Sequence, residues 1–254
     1  VYDPFIAGGL DALNYACYQD ARFMLVATPA GVTLGPEGGA HQSINPPLIA
    51  MGQPGLRHYE PAFVDELALL MEEAFALLQA PDGESVYFRL TTRSIPQVER
   101  TDDAWREGAR KGAYWLRAPG EAAEAAIVTM GAVTPEAIAA CDAMADDLPG
   151  LGLLVVTSPD LLHREWSARM ARGDAGPSHI ESLLSQLPPG AQLVTMLDGS
   201  PGALSWLGGV DAGGAARVEL APMFVGGTMS VAALYLLICG ALAAGLGMSA
   251  LSEA

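Results

Sequence analysis

The sequence predicts an α/β protein of two domains with mostly parallel sheets. Three observations predict it. Short continuous apolar runs of strand length alternate with helix-length amphipathic stretches. Gly- and Pro-rich turns punctuate the alternation. A polar, charged run over 97–107 (QVERTDDAWRE) divides it into two halves and reads as a linker. With 254 residues, 51% apolar and 17% charged, the chain has material for a dry core, and its composition excludes a disordered protein.

Leu10 to Tyr18 (LDALNYACY) reads as a helix and Phe23 to Thr28 (FMLVAT) as a short buried strand. Pro29 to Asn45 is too long for a tight connection and is a candidate functional loop. Leu56 to Tyr59 reads as a short strand. A helix is expected to start at Glu60-Pro61, with Pro in its first turn. Its apolar face would hold Phe63, Val64, Leu67, Leu70, Met71, Ala74, Leu77 and Leu78. Pro81-Asp82-Gly83 turns the chain into the strand Val86 to Thr91. Beyond the polar run, strands are expected at Ile127 to Met130, Leu151 to Val156 and Gln192 to Leu197. Helices are expected at Pro135 to Ala145, Leu161 to Met170 and Ile180 to Leu187. Strand after helix after strand implies right-handed crossovers and parallel pairing.

Thirteen basic against 29 acidic side chains give a formal net charge of −16. That balance argues against nucleic acid as a partner, because no Lys or Arg excess exists to displace counterions from phosphates. It argues equally against an anionic membrane surface. Cys17, Cys141 and Cys239 are too few and too scattered for a disulfide framework, so a reducing cytoplasm is the expected location. No Cys or His stands at metal-ligand spacing from another, and no metal site is expected in this chain. Cys141 reads as core, and His58, His163 and His179 read as surface or satisfied side chains. Met229 to Ala250 is uncharged and long enough to cross a bilayer. Lacking flanking Lys or Arg, it reads as a buried helix, with a membrane anchor as the alternative. The chain opens on Val1 with no secretory signal pattern, and a fragment or processed chain is expected.

Ligands of parallel sheets gather at the carboxyl ends of strands, so the loop after Thr28 is the first place to look. It holds Glu37, Gly38, Gly39, His41 and Gln42. On residue types alone it reads as a mobile surface loop, and the four-residue spacing does not pair Glu37 with His41 across two glycines. The run T-P-A-G-V-T-L-G-P-E-G-G-A-H, however, resembles the substrate loop of the thiamine diphosphate enzymes of the transketolase superfamily. It is most similar to that of the homodimeric pyruvate dehydrogenase first component, T-x-x-x-x-T-L-x-x-E-G-x-x-H. Thr28, Thr33, Leu34, Glu37, Gly38 and His41 fall in register. Transketolases proper carry G-E-D-G-x-x-H-Q; here Glu37 replaces the Asp, and Pro29-Ala30 replaces their opening His-Asp. Tyr2-Asp3-Pro4-Phe5 resembles the aromatic pair that packs on the cofactor's aminopyrimidine. Glu107 to Tyr114 (EGARKGAY) resembles the E-G-x-R-K-G-x-Y entry to the C-terminal domain of that component. The resemblance extends to about residue 160 and then fades.

The resemblance implies a division of the chain. Residues 1–97 would be the latter part of a pyrimidine-binding domain, 98–106 a linker and 107–254 a transketolase C-terminal-like domain. It implies a thiamine diphosphate-dependent 2-oxoacid (pyruvate) dehydrogenase first component, decarboxylating its substrate and passing on the acyl group. Its Mg- and diphosphate-binding part would lie outside this chain, which alone would be inactive. His41 and Glu37 are the implied catalytic residues, Tyr2 and Phe5 the cofactor-binding pair, and Gln42 and Arg93 substrate contacts. Arg93 stands where transketolases hold a sugar phosphate, which keeps ketol transfer as the alternative. A homodimer is implied, a lipoyl acyltransferase partner fits the dehydrogenase reading, and a pure dimerisation module is the non-enzyme alternative.

Overall fold

A computed structural model describes residues 1–173 and 176–210, together with the backbone of 217–219. The first half runs α1 (Leu10–Tyr18), β1 (Met24–Ala27), α2 (Pro46–Gly52), β2 (Leu56–Tyr59), α3 (Val64–Gln79) and β3 (Ser85–Arg89). Its strands pair in the order β1-β3-β2, all parallel. The central strand β3 is buried along its whole length. Val86 and Phe88 pack with Tyr59, Leu70 and Ala74 on one face, and Tyr87 packs with Ile6, Leu13 and Ala50 on the other. A strand covered on both faces has no solvated side, so the charge at Arg89 requires partners inside the protein.

The second half runs α4 (Ala104–Arg110), β4 (Ala113–Arg117), β5 (Ala125–Met130), α5 (Thr134–Ala143), β6 (Gly152–Val156), α6 (Pro159–Arg172), α7 (His179–Leu184), β7 (Gln192–Leu197), α8 (Gly202–Ser205) and β8 (Arg217–Glu219). The strand order is β4-β6-β5-β7-β8, with β4 antiparallel to β6 and every other pair parallel. All residues of β5 and β6 are buried, which is why those strands read as unbroken apolar runs. Cys141 lies in the core on α5, and burial pushes its thiol up to about 11.

Helix α3 begins at Val64 rather than at Glu60-Pro61. The Glu60 N–H is taken by the Thr157 carbonyl across the sheet boundary (2.8 Å), so the chain stays extended there. The helix start is fixed instead by the buried Glu66 carboxylate, which accepts from the N–H groups of Ala62 (2.7 Å) and Phe63 (3.2 Å). Val64 is consequently exposed, and the buried face is Glu66, Leu69, Leu70 and Ala74. Helix α4 occupies the end of the stretch read as a linker, and strand β4 follows it directly. Before α4, Arg100 is anchored by Asp65 (2.7 Å) and stacked on the Trp105 ring (4.2 Å). No helix among the described residues is long and apolar enough to cross a membrane, and Met229 to Ala250 lies outside them.

Candidate functional site

After β1 the chain forms two 3-10 turns, Val32–Glu37 and Gly39–His41. Gly31 (φ 96°) and Gly38 (φ 113°) precede them in a backbone region that glycine adopts without strain. The neck of the loop is closed by its own residues. Gly31 N–H donates to Ser43 Oγ (2.8 Å), and the Gln42 side-chain amide donates to the Val32 carbonyl (2.8 Å). Gln42 thus directs its donor at the loop backbone. Leu34 plugs into the interior, whereas Glu37 and His41 stand exposed at the tip.

The side chains that spacing alone could not pair meet through Tyr2. Its hydroxyl donates to Glu37 Oε2 at 2.9 Å, and its ring meets His41 edge-on at 5.4 Å. Phe5 lies 5.6 Å from Tyr2 and is 66% exposed. Tyr2, Phe5, Glu37 and His41 therefore form one open surface beside the end of β1. Desolvation, then the hydrogen bond to Glu37, pushes the Tyr2 phenol above its ordinary value and keeps it a donor. Arg93 is not part of this group. Its guanidinium pairs with Glu136 of α5 and donates to the Ala132 carbonyl (3.2 Å). Two cavities, of about 460 and 290 Å³, are lined by none of these residues.

Beneath that surface lies a buried ionic cluster. Arg89 Nη1 donates to Glu60 Oε1 (2.7 Å), Nε to Asp3 Oδ2 (3.1 Å) and Nη2 to the Ser43 carbonyl (3.2 Å). Asp3 also accepts from the Ser43 and Tyr87 hydroxyls. Asp3 is one of the two residues between the aromatics, so the cluster fixes the Tyr2–Phe5 segment to the loop neck. Asp198, at the end of β7, accepts from Val32 N–H (2.6 Å), Thr33 N–H (3.0 Å) and Thr33 Oγ1 (2.6 Å). Glu60, Arg89 and Asp198 border a cavity of about 10 Å³, room for a single water and no substrate. Sequence reasoning missed this cluster. Its signals were a lone arginine in the apolar run VYFRL and an aspartate between two aromatics.

His58 is a correction to the expected surface or satisfied histidine. Strand β2 is covered on both faces, so His58 is fully buried, stacked on Tyr87 at 5.0 Å, with no hydrogen-bond partner at either ring nitrogen. Burial, then the Arg89 charge, lowers its pKa to about 3. Its 3.7 Å approach to Glu60 is therefore no ion pair. Burial raises Glu60 to about 7 against the opposing pull of Arg89, with Asp198 and Asp3 adding to the rise.

These two groups tie stability to pH in opposite senses. The folded state holds the Glu60 proton more tightly than the unfolded chain does. That contribution is complete below the ordinary carboxylate pKa and is lost as pH rises through about 7. The folded state refuses a proton at His58 that the unfolded chain accepts. That contribution is present above about 6.5 and is lost as pH falls toward about 3. Between roughly pH 4.5 and 6.5 the two oppose each other. Glu60→Gln is expected to leave His58 unopposed, so its denaturation midpoint falls with acid more steeply than the parent's. Parallel pH profiles in denaturant titrations would contradict this.

No protein-family model matches the chain. Its relatives include the pyruvate dehydrogenase E1 component of Mycolicibacterium smegmatis, 35% identical over 187 residues, which is 69% of this chain and 20% of that protein. The Corynebacterium glutamicum protein of the same name is 30% identical over 188 residues, again 69% and 20%. The chain thus spans about a fifth of the length of these relatives. Among solved structures, transketolase from Campylobacter jejuni gives a TM-score of 0.69 at 14% identity, over 94% of this chain and 35% of that one. An inactive β4 tetramer of a split-gene transketolase gives 0.64 at 18%, over 95% and 74%. At these identities the likeness is one of fold. Fold and strand-end loop define a two-sheet α/β protein built like part of a transketolase. The chain belongs to the thiamine diphosphate-dependent transketolase superfamily and is similar to part of the pyruvate dehydrogenase E1 components.

Proposed function

We propose that this chain is part of a thiamine diphosphate-dependent first component that decarboxylates a 2-oxoacid of the pyruvate type and passes on the acyl group. The observation that carries the reading is the single open surface formed by Tyr2, Phe5, Glu37 and His41, in a chain related to pyruvate dehydrogenase E1 components. Residues 1–97 would serve as pyrimidine-binding domain and 107–254 as C-terminal domain, joined through 98–106. The exposed Phe5 and Tyr2 rings suit an aminopyrimidine laid against them, in a homodimer with the cofactor between subunits. Among the described residues no group of three or more His, Cys, Asp or Glu side chains could hold a metal ion. On the resemblance to the superfamily, Mg and the diphosphate would be held by another part of the protein.

When bound, the cofactor supplies the nucleophilic carbon that 2-oxoacid decarboxylation requires. His41, exposed at the tip, donates a hydrogen bond to the substrate oxygen on which charge develops. Glu37 accepts from Tyr2, which fixes the ring that His41 leans on. Ketol transfer from a sugar phosphate would use Arg93 as an anion clamp, and its engagement by Glu136 favours the 2-oxoacid reading. A lipoyl acyltransferase is the proposed acceptor partner.

Phe5→Ala in the full-length protein is expected to weaken thiamine diphosphate binding about tenfold in titration calorimetry. The fold should be unaffected, since Phe5 is exposed. Unchanged affinity would remove Phe5 from the cofactor surface.

A further inference from the structure

We infer that Asp198 is a positioning residue through which the second half of the chain sets the geometry of the loop carrying Glu37 and His41. The inference rests on the proposed role of that loop. Asp198 is 2% exposed and lies at the C-terminal end of β7, in the second sheet. Among the described residues, the three hydrogen bonds it accepts come from Val32 and Thr33, at the start of the loop. Gly31 is pressed so close that a Cβ there would stand 1.8 Å from Asp198 Oδ2, which together with φ 96° admits only glycine. The same segment of chain grips the other end of the loop. Ser200 N–H donates to the Ile44 carbonyl (3.0 Å), and Gly202 packs under Leu48.

Both feet of the loop thus stand on 198–202, while its exposed tip touches the rest of the chain through Tyr2. The backbone N–H groups of buried Val32 and half-buried Thr33 are satisfied by a carboxylate from the other half. A small shift at 198–202 is therefore passed to the loop, and with it to the placement of Glu37 and His41. A misplacement of about 1 Å at a catalytic group costs about 10²-fold in rate.

The test compares Asp198→Ala and Asp198→Asn in the full-length protein, reading hydrogen exchange over 31–43 and the steady-state constants for 2-oxoacid decarboxylation. Asparagine keeps the oxygen that accepts from Val32 and Thr33, and the Thr33 hydroxyl can turn to accept from its amide. Asp198→Ala is expected to speed exchange in 31–43 by about tenfold and lower kcat by about 10²-fold, with cofactor affinity preserved. Asp198→Asn is expected to restore both. Unchanged loop exchange in the alanine variant, equal damage by asparagine, or a loss of cofactor binding in step with kcat would each overturn the inference. If Asp198→Ala does not fold, Thr33→Val is expected to speed exchange of the same segment about threefold, and no change would overturn it. Exchange is read without substrate, so a protein that turns over no 2-oxoacid would sink the proposed reaction while still deciding the role of Asp198.

Discussion

Arg89→Leu is expected to destabilise the protein by about 3–5 kcal/mol, the range for removing one partner of a buried charge pair. Arg89 is the only cation in contact with Asp3 and Glu60 among the described residues, and all three side chains are almost completely buried. Leucine fits the apolar strand but leaves two carboxyl groups with no countercharge. Against a typical total of about 5–15 kcal/mol, the loss is a large fraction of the whole. Denaturant titration near pH 7 measures it, and the deficit should shrink in acid as Glu60, raised to about 7, takes up a proton. Arg89→Lys should fall between, because one ammonium cannot span the contacts made by Nε, Nη1 and Nη2. A leucine variant as stable as the parent would show that the cluster is not held together by this guanidinium.

His41→Ala in the full-length protein is expected to lower kcat for 2-oxoacid decarboxylation by about 10²–10⁴-fold, the usual worth of a positioned acid/base group. His41 is exposed at the end of a 3-10 turn and contacts Tyr2 only by its ring edge, so its loss should leave folding intact. Thermal denaturation of the variant should therefore match the parent's, and thiamine diphosphate should still bind. An undiminished rate would take His41 out of the chemistry.

Strands β2, β3, β5, β6 and β7 were legible because they are buried along almost their whole length. β2 and β7 fall at their expected residues, Leu56–Tyr59 and Gln192–Leu197, and the parallel order follows from alternation. The start of α3 was not legible, since the contact of Glu60 with Thr157 is made across 97 residues of sequence. Helix α4 and strand β4 were obscured by polar residues that are partnered tertiarily, Arg100 with Asp65 and Arg110 with Glu73. At the site, the resemblance singled out Glu37, His41, Tyr2 and Phe5 from two separate stretches, and the structure brings these four side chains together. The resemblance could not supply Asp198, which acts on the loop from 165 residues away. Long-range carboxylates that cap backbone groups carry no local signature, and only the tertiary fold brings them to their donors.

The most direct test of the 2-oxoacid reading is a donor comparison on the full-length protein with thiamine diphosphate and Mg. Pyruvate and other 2-oxoacids are run against a ketose phosphate, following carbon dioxide release and ketol transfer. Release of carbon dioxide from a 2-oxoacid without ketol transfer is the predicted result, with Arg93 left as a bond between the two halves. Ketol transfer from the sugar phosphate, abolished by Arg93→Ala, would contradict it.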